Sequence, residues 1–140
     1  MAILGRELLA SSQAHLARRE LTIEGLDGAV MVRELTDGEA SKAQKLAIAA
    51  VRDGQVVEPE RLTQMRALMV RSGWIDASGA NILAQGEEGE LDALPRRLVD
   101  AMAEAIAELS GLQDAAAASA GRQRAEKNLQ KTRNGGSVSS

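Results

Sequence analysis

A chain of 140 residues is one ordinary domain, long enough to bury roughly two thirds of its unfolded surface. It has no Cys, no Phe, no Tyr and a single Trp, which excludes a disulfide framework and a thiolate metal site, fits a reducing compartment, and leaves the core to Leu, Val, Ile, Met and Ala. The net charge of −3 is uneven: residues 121–140 hold five basic residues against one acidic, leaving twelve basic and nineteen acidic in residues 1–120, and so acidic a body argues against duplex nucleic acid as the main partner.

Residues 4–17 set Leu4, Leu8, Leu9 and Leu16 at helical spacing, which predicts a short amphipathic helix. Charged and hydroxyl residues interrupt this stretch, so it lacks the unbroken apolar run of a secretory or membrane-spanning segment, and a soluble, cytoplasmic protein with no membrane partner is expected. The period then changes. Leu21 and Ile23, then Val30 and Val32, alternate around Asp27-Gly28, which predicts a β-hairpin near 20–35 because Gly accepts positive φ at little cost.

Thr36 or Asp37 can cap a run whose inner stripe is Ala43, Leu46, Ala47, Ala50 and Val51, with Glu39 three residues after Thr36. The Thr36–Glu39 spacing fits the reciprocal capping box, and the helix is expected to end at Gly54. Pro59 suits the first turn of the next helix, which carries Leu62, Met65, Leu68 and Met69 inward and ends at Gly73. Trp74-Ile75, a turn at Asp76 to Gly79, and Ile82-Leu83 read as a tiny hairpin or an ordered loop. A turn of helix is expected around Glu87 to Ala93, and then a strong helix from Pro95 with the stripe Leu98, Met102, Ala105, Ile106 and Leu109, stopped by Ser110-Gly111. Residues 114–128 have helix propensity without large apolar residues, and the final Asn-Gly-Gly-Ser-Val-Ser-Ser reads as a flexible end.

Candidate chemistry is sparse. His15 is the only imidazole, near Ser11, Ser12 and Glu20, but no strained Gly-x-Ser-x-Gly turn presents a nucleophile, so no catalytic residue is assigned. Glu87, Glu88, Glu90 and Asp92 fit a helix N-terminus better than a cation site. A calcium loop from Asp76 would place Ala80 and Asn81 where a side-chain oxygen and a Gly belong. Gly25 and Gly28 form no phosphate cradle. Neither metal nor cofactor is expected.

The order Val-Arg-Glu-Leu-Thr (32–36), a capped helix, Trp74-Ile75 with Asp76 to Gly79, Leu-Ser-Gly-Leu (109–112) and Glu-Lys-Asn (126–128) resembles the tail assembly chaperones of long-tailed bacteriophages over roughly residues 20–130. The resemblance implies a non-enzymatic assembly factor in the host bacterial cytoplasm, absent from the mature virion. Such a factor binds the long helical tape measure protein, keeps it soluble and helps tail-tube subunits polymerise around it. A longer form made by ribosomal frameshifting, which recruits the tube protein, is a further implication, and a flexible segment after Asn128 suits such a junction.

The expected architecture is therefore α+β, mostly α: a helical chaperone domain with one hairpin at 1–112, and a frayed helix with a flexible basic tail at 113–140. The candidate partner-binding residues are Leu4, Leu8 and Leu16, Met31 and Leu35 on the hairpin's other face, Trp74, and Lys127 with Asn128. For the apolar residues core packing is the competing reading, and Trp74 is either buried or an interface anchor. Weak self-association fits a small core. A DNA-associated regulatory protein and a structural virion component are the rival readings.

Overall fold

The computed structural model describes residues 3–112, so the frayed helix and flexible basic tail expected at 113–140, with Lys127 and Asn128, lie outside the described residues. The fold is α+β and mostly α. Its order is α1 (Glu7–Ala10), a 3-10 turn (Ser12–His15), β1 (Arg18–Thr22), β2 (Ala29–Arg33), α2 (Asp37–Ala50), β3 (Val51–Arg52), β4 (Gln55–Val56), α3 (Pro59–Gly73), β5 (Trp74–Ile75), a second 3-10 turn (Glu88–Ala93) and α4 (Arg96–Leu109).

The expected hairpin is β1 and β2, antiparallel with Leu21 opposite Val30 and Arg19 opposite Val32. Gly25 and Gly28 in its loop both take positive φ, the conformation that favours glycine there. What the sequence did not reveal is that β5 joins this hairpin. It pairs antiparallel with β2, Ile75 opposite Met31 and Trp74 opposite Val32, so the sheet runs β1-β2-β5.

α2 begins as expected. Thr36 Oγ1 accepts from Glu39 N at 3.3 Å while Glu39 Oε1 accepts from Thr36 N at 2.9 Å. The helix ends earlier than Gly54, at Ala50, because residues 51–56 form a second, tiny hairpin. Its two-residue turn is Asp53-Gly54, with φ of 53° and 79°, the turn whose twist matches that of its flanking strands. α3 starts at Pro59 and stops at Gly73 as the spacing predicts.

α4 closes with a Schellman cap. Gly111 at φ 71° donates to Glu108 O, and Leu112 N donates to Ala107 O at 2.8 Å, satisfying carbonyls a helix end leaves free. Leu112 is buried beneath it.

The predicted helix over 4–17 shrinks to α1 and the 3-10 turn, and α1 buries no residue. A first turn is costly to nucleate and is stabilised mainly by packing. Ser11 Oγ also bonds back to Glu7 O at 3.1 Å, competing with the helical ladder.

The core lies between α2, α3, α4 and the inner face of the sheet, where Val32, Met65, Met69, Val70, Met102 and Ile106 belong to one buried cluster. Ala43, Ala47 and Ala50 are the buried residues of α2, which packs against α3. Small side chains there let the two backbones approach closely. Arg33 is also buried, at 5% exposure. Its guanidinium donates to both Glu39 carboxylate oxygens, at 2.9 and 3.1 Å, and to Glu34 O at 2.7 Å. Desolvation pushes the Glu39 carboxyl up, but the Arg33 and Thr36 hydrogen bonds outweigh it and hold its pKa below the ordinary value.

Candidate functional site: an apolar groove on the open face of the sheet

Side chains alternate across a sheet, so register assigns them to faces. Leu21, Val30, Val32 and Trp74 share the face turned to the helices: Val32 belongs to the core, and the other three pack against it. Glu20, Met31 and Ile75 stand side by side on the opposite face, and neither Met31 nor Ile75 belongs to the hydrophobic core of the described residues.

This face is the floor of a groove of about 430 Å³. Ile75 is its most buried lining residue, 2% exposed yet outside the core cluster. Met31 beside it is half-buried, and Ile82, 43% exposed, forms the far wall. Ala29, Ala77 and Trp74 also line the groove.

The far wall is held by the loop after β5. Ile75 bridges Asn81, and Ile82 N donates to Trp74 O at 3.1 Å. Asn81 Nδ2 donates to Arg71 O and Ser72 O at 2.9 and 3.0 Å, tying the loop to the end of α3. Asp76 Oδ1 accepts from Ser78 N, Ser78 Oγ and Ala80 N at 2.9, 2.6 and 3.1 Å. The Ser78 hydroxyl, followed by the Ala80 and Ser78 backbone donors, lowers the Asp76 pKa, so the carboxylate at the groove edge stays ionised. An oxygen so engaged closes a turn, which is the role the missing calcium-loop residues left for it.

Acidic Glu20 and Asp76 flank the groove. Glu20 makes no ion pair among the described residues, whereas other surface carboxylates do: Glu108 pairs with Arg19, Asp100 with Arg66, and Glu88 lies 2.8 Å from Arg71 Nε. The Arg71 contact lies off the N–H direction and leaves Nε without a hydrogen bond, so it is a charge contact only.

Two of the expected partner residues, Met31 and Trp74, meet in this groove. Leu35 does not: it is 5% exposed and part of the core. The expectation that it shared Met31's free face is corrected, because the strand ends at Arg33 and the chain turns into the α2 cap, with Leu35 N donating to Ser110 Oγ of α4's C-cap at 2.8 Å. Leu4 is 63% exposed, and Leu8 and Leu16 are half-buried, away from the groove lining. Ile75, Ile82 and Glu20 were missed. Ile75 and Ile82 flank the Asp76 to Gly79 turn in sequence, a usable signal, but their partner strand is more than forty residues upstream.

His15 Nε2 lies 3.0 Å from Ser11 Oγ on an exposed turn. Among the described residues no carboxylate hydrogen-bonds this imidazole, so the orienting third member of a hydrolytic set is lacking there. No helix of the described residues is long and apolar enough to cross a membrane.

The fold has a counterpart. The chain is similar to the solved structure of the tail assembly chaperone of bacteriophage HK97, with a TM-score of 0.56 and 12% identity. The match covers 74% of this chain and 94% of that one. At that identity the likeness establishes the fold. No family model matches the chain, and no curated protein matches its sequence.

Proposed function

We propose that this protein is a tail assembly chaperone of a long-tailed bacteriophage, a non-enzymatic factor that binds the tape measure protein and keeps it soluble while tail-tube subunits polymerise around it. The observation that carries the reading is the fold shared with the HK97 chaperone over nearly the whole of that chain. The ordered motifs from Val32 to Leu112 point the same way, independently of the coordinates. A client chaperone needs limited apolar surface that can meet amphipathic helices, and the groove over Met31 and Ile75 offers it. On this reading the protein works in the host cytoplasm, is absent from the mature virion and uses no cofactor. A longer frameshifted form would carry the tail-tube contact.

The test is to tag the N-terminus in phage-producing cells, purify the protein, and identify what accompanies it by mass spectrometry. Recovery of the tape measure protein, with or without a longer tagged form, is the expected result. Recovery of salt-sensitive nucleic acid instead would move the reading to a regulatory protein. Finding the chain in purified particles would make it a virion component.

A further inference from the structure

Resting on the chaperone reading, we infer that the open-face groove is the client site and that its occupant is an amphipathic helix with Lys or Arg on either side of its apolar stripe. Three observations specify this occupant. The floor is a sheet face of Met31 and Ile75, and a helix laid on a sheet is the ordinary way to cover one. An added strand is a poorer fit, because the groove opens on the face of the sheet, and the far side of Ile75 is already bridged by Asn81. The walls and floor are aliphatic and adaptable: Met31 is unbranched and flexible, and can follow apolar side chains at i, i+3 or i+4, and i+7 of differing shape.

Charge fixes the flanks of the helix. Glu20 and Asp76 are exposed acidic residues at the groove, Glu20 is unpaired among the described residues, and Asp76 is held ionised by its turn. Residues 1–112 carry twelve basic and eighteen acidic residues, and although the Arg18 guanidinium lies against Gly79 of the Asp76 turn, the charged residues that line the groove are the carboxylates Glu20 and Asp76, which favour a basic segment over an acidic one. One groove holds only a short stretch of helix, so each contact is weak. A long helical client offers many such stretches, and several chaperone copies would cover it through multiplicity.

Trp74, the single tryptophan, borders the groove and serves as the reporter. The probes are two designed helical peptides with one leucine stripe, flanked by lysines in one and by glutamates in the other, and peptides tiled along the tape measure protein of the same phage. The lysine peptide is expected to shift Trp74 emission and to bind at least about tenfold more tightly than the glutamate peptide at low salt, with the gap narrowing as salt rises. Tiles that bind should be those with apolar stripes flanked by basic residues.

Glu20→Lys should weaken the lysine peptide several-fold. Met31→Asp should abolish binding, and Ile82→Asp, at a more exposed position, guards against a folding failure, with circular dichroism checking both. Equal binding of the two designed peptides would overturn the charge assignment. Undiminished binding of tape measure protein by a folded Ile82→Asp variant would overturn the groove while leaving the chaperone reading intact. Failure of the unaltered protein to bind the tape measure protein at all would overturn the chaperone reading itself.

Discussion

Gly73→Ala tests how the groove is built, because Gly73 is where α3 hands the chain to β5. A Cβ at this position would lie 2.6 Å from Ile106 Cδ1, 2.8 Å from Ile106 Cγ1 and 3.1 Å from the carbonyl oxygen of Arg33. Carbon atoms pack best at about 3.5–4 Å, so roughly 1 Å of displacement is required. Neither neighbour has room to give it: Ile106 is fully buried in α4, and Arg33 is pinned by its bidentate bonds to Glu39. Overpacking of this kind costs about 1–3 kcal/mol, against at most about 1 kcal/mol gained by replacing a helical Gly. The net expectation is a loss of about 1–2 kcal/mol, seen as a fall in melting temperature of roughly 4–12 °C by circular dichroism. Ile106→Val removes the atom closest to the new Cβ and alone costs about 0.5–1.5 kcal/mol. In the double variant the combined loss should fall short of the sum by about 0.5 kcal/mol or more. A Gly73→Ala protein as stable as the parent, or strictly additive losses, would refute the argument that close approach of α3, α4 and β2 at Gly73 sets the position of β5.

Glu39→Gln removes the charge that answers the buried Arg33, and should cost about 3 kcal/mol in urea titrations, near the lower end for a broken buried pair. The Glu39 pKa is depressed in the folded state, so its contribution is fully present above the unfolded carboxyl value and is lost as pH falls through the folded one. The parent should therefore lose stability on acidification below about pH 4.5, and Glu39→Gln should flatten that part of the profile. Ser110→Ala leaves Leu35 N without its 2.8 Å acceptor and should cost about 1–2 kcal/mol in the same titration. Gly54→Ala, at φ 79°, should cost about 1 kcal/mol from left-handed backbone strain and leave Trp74 emission unchanged, since the second hairpin lies apart from the groove lining.

Local signals in the sequence predicted the local structure well. Thr36 and Glu39 make their capping box three residues apart, Pro59 and Gly73 bound α3, and the Ser110-Gly111 stop is a Schellman cap, because each needs only its near neighbours. Met65, Met69 and Met102 are core residues, as their helical spacing suggested. The misses have physical causes of two kinds. Residues 4–17 have the apolar spacing of a helix, but α1 buries no residue, and periodicity alone does not supply the tertiary contacts that keep a short helix formed. The β3–β4 hairpin was hidden because its strands are two residues long, too short for alternation to register, although Asp53-Gly54 between Val51-Arg52 and Gln55-Val56 is a hairpin turn in composition.

The groove itself could not be read from one stretch of sequence, because it is made by pairing. Met31 alone is an apolar residue alternating on a hairpin, and Ile75 alone is the second residue of an ambiguous pair. Only when β5 takes its place beside β2 do they become one surface, and that placement depends on Gly73, on the Asn81 clamp to α3 and on the Asp76 turn. The same pairing explains why Leu35 was misassigned. Strand alternation carried past Arg33 puts residue 35 on the face of Met31, whereas the chain has already left the sheet to cap α2. It also explains where Trp74 lies: its register partner Val32 turns it toward the core, and its position on an edge strand leaves it half-buried at the border of the groove. A substitution that shifts β5 by one residue would exchange Trp74 and Ile75 between the two faces. It would bring the indole onto the open floor and expose a core edge, so groove and core are specified by one register.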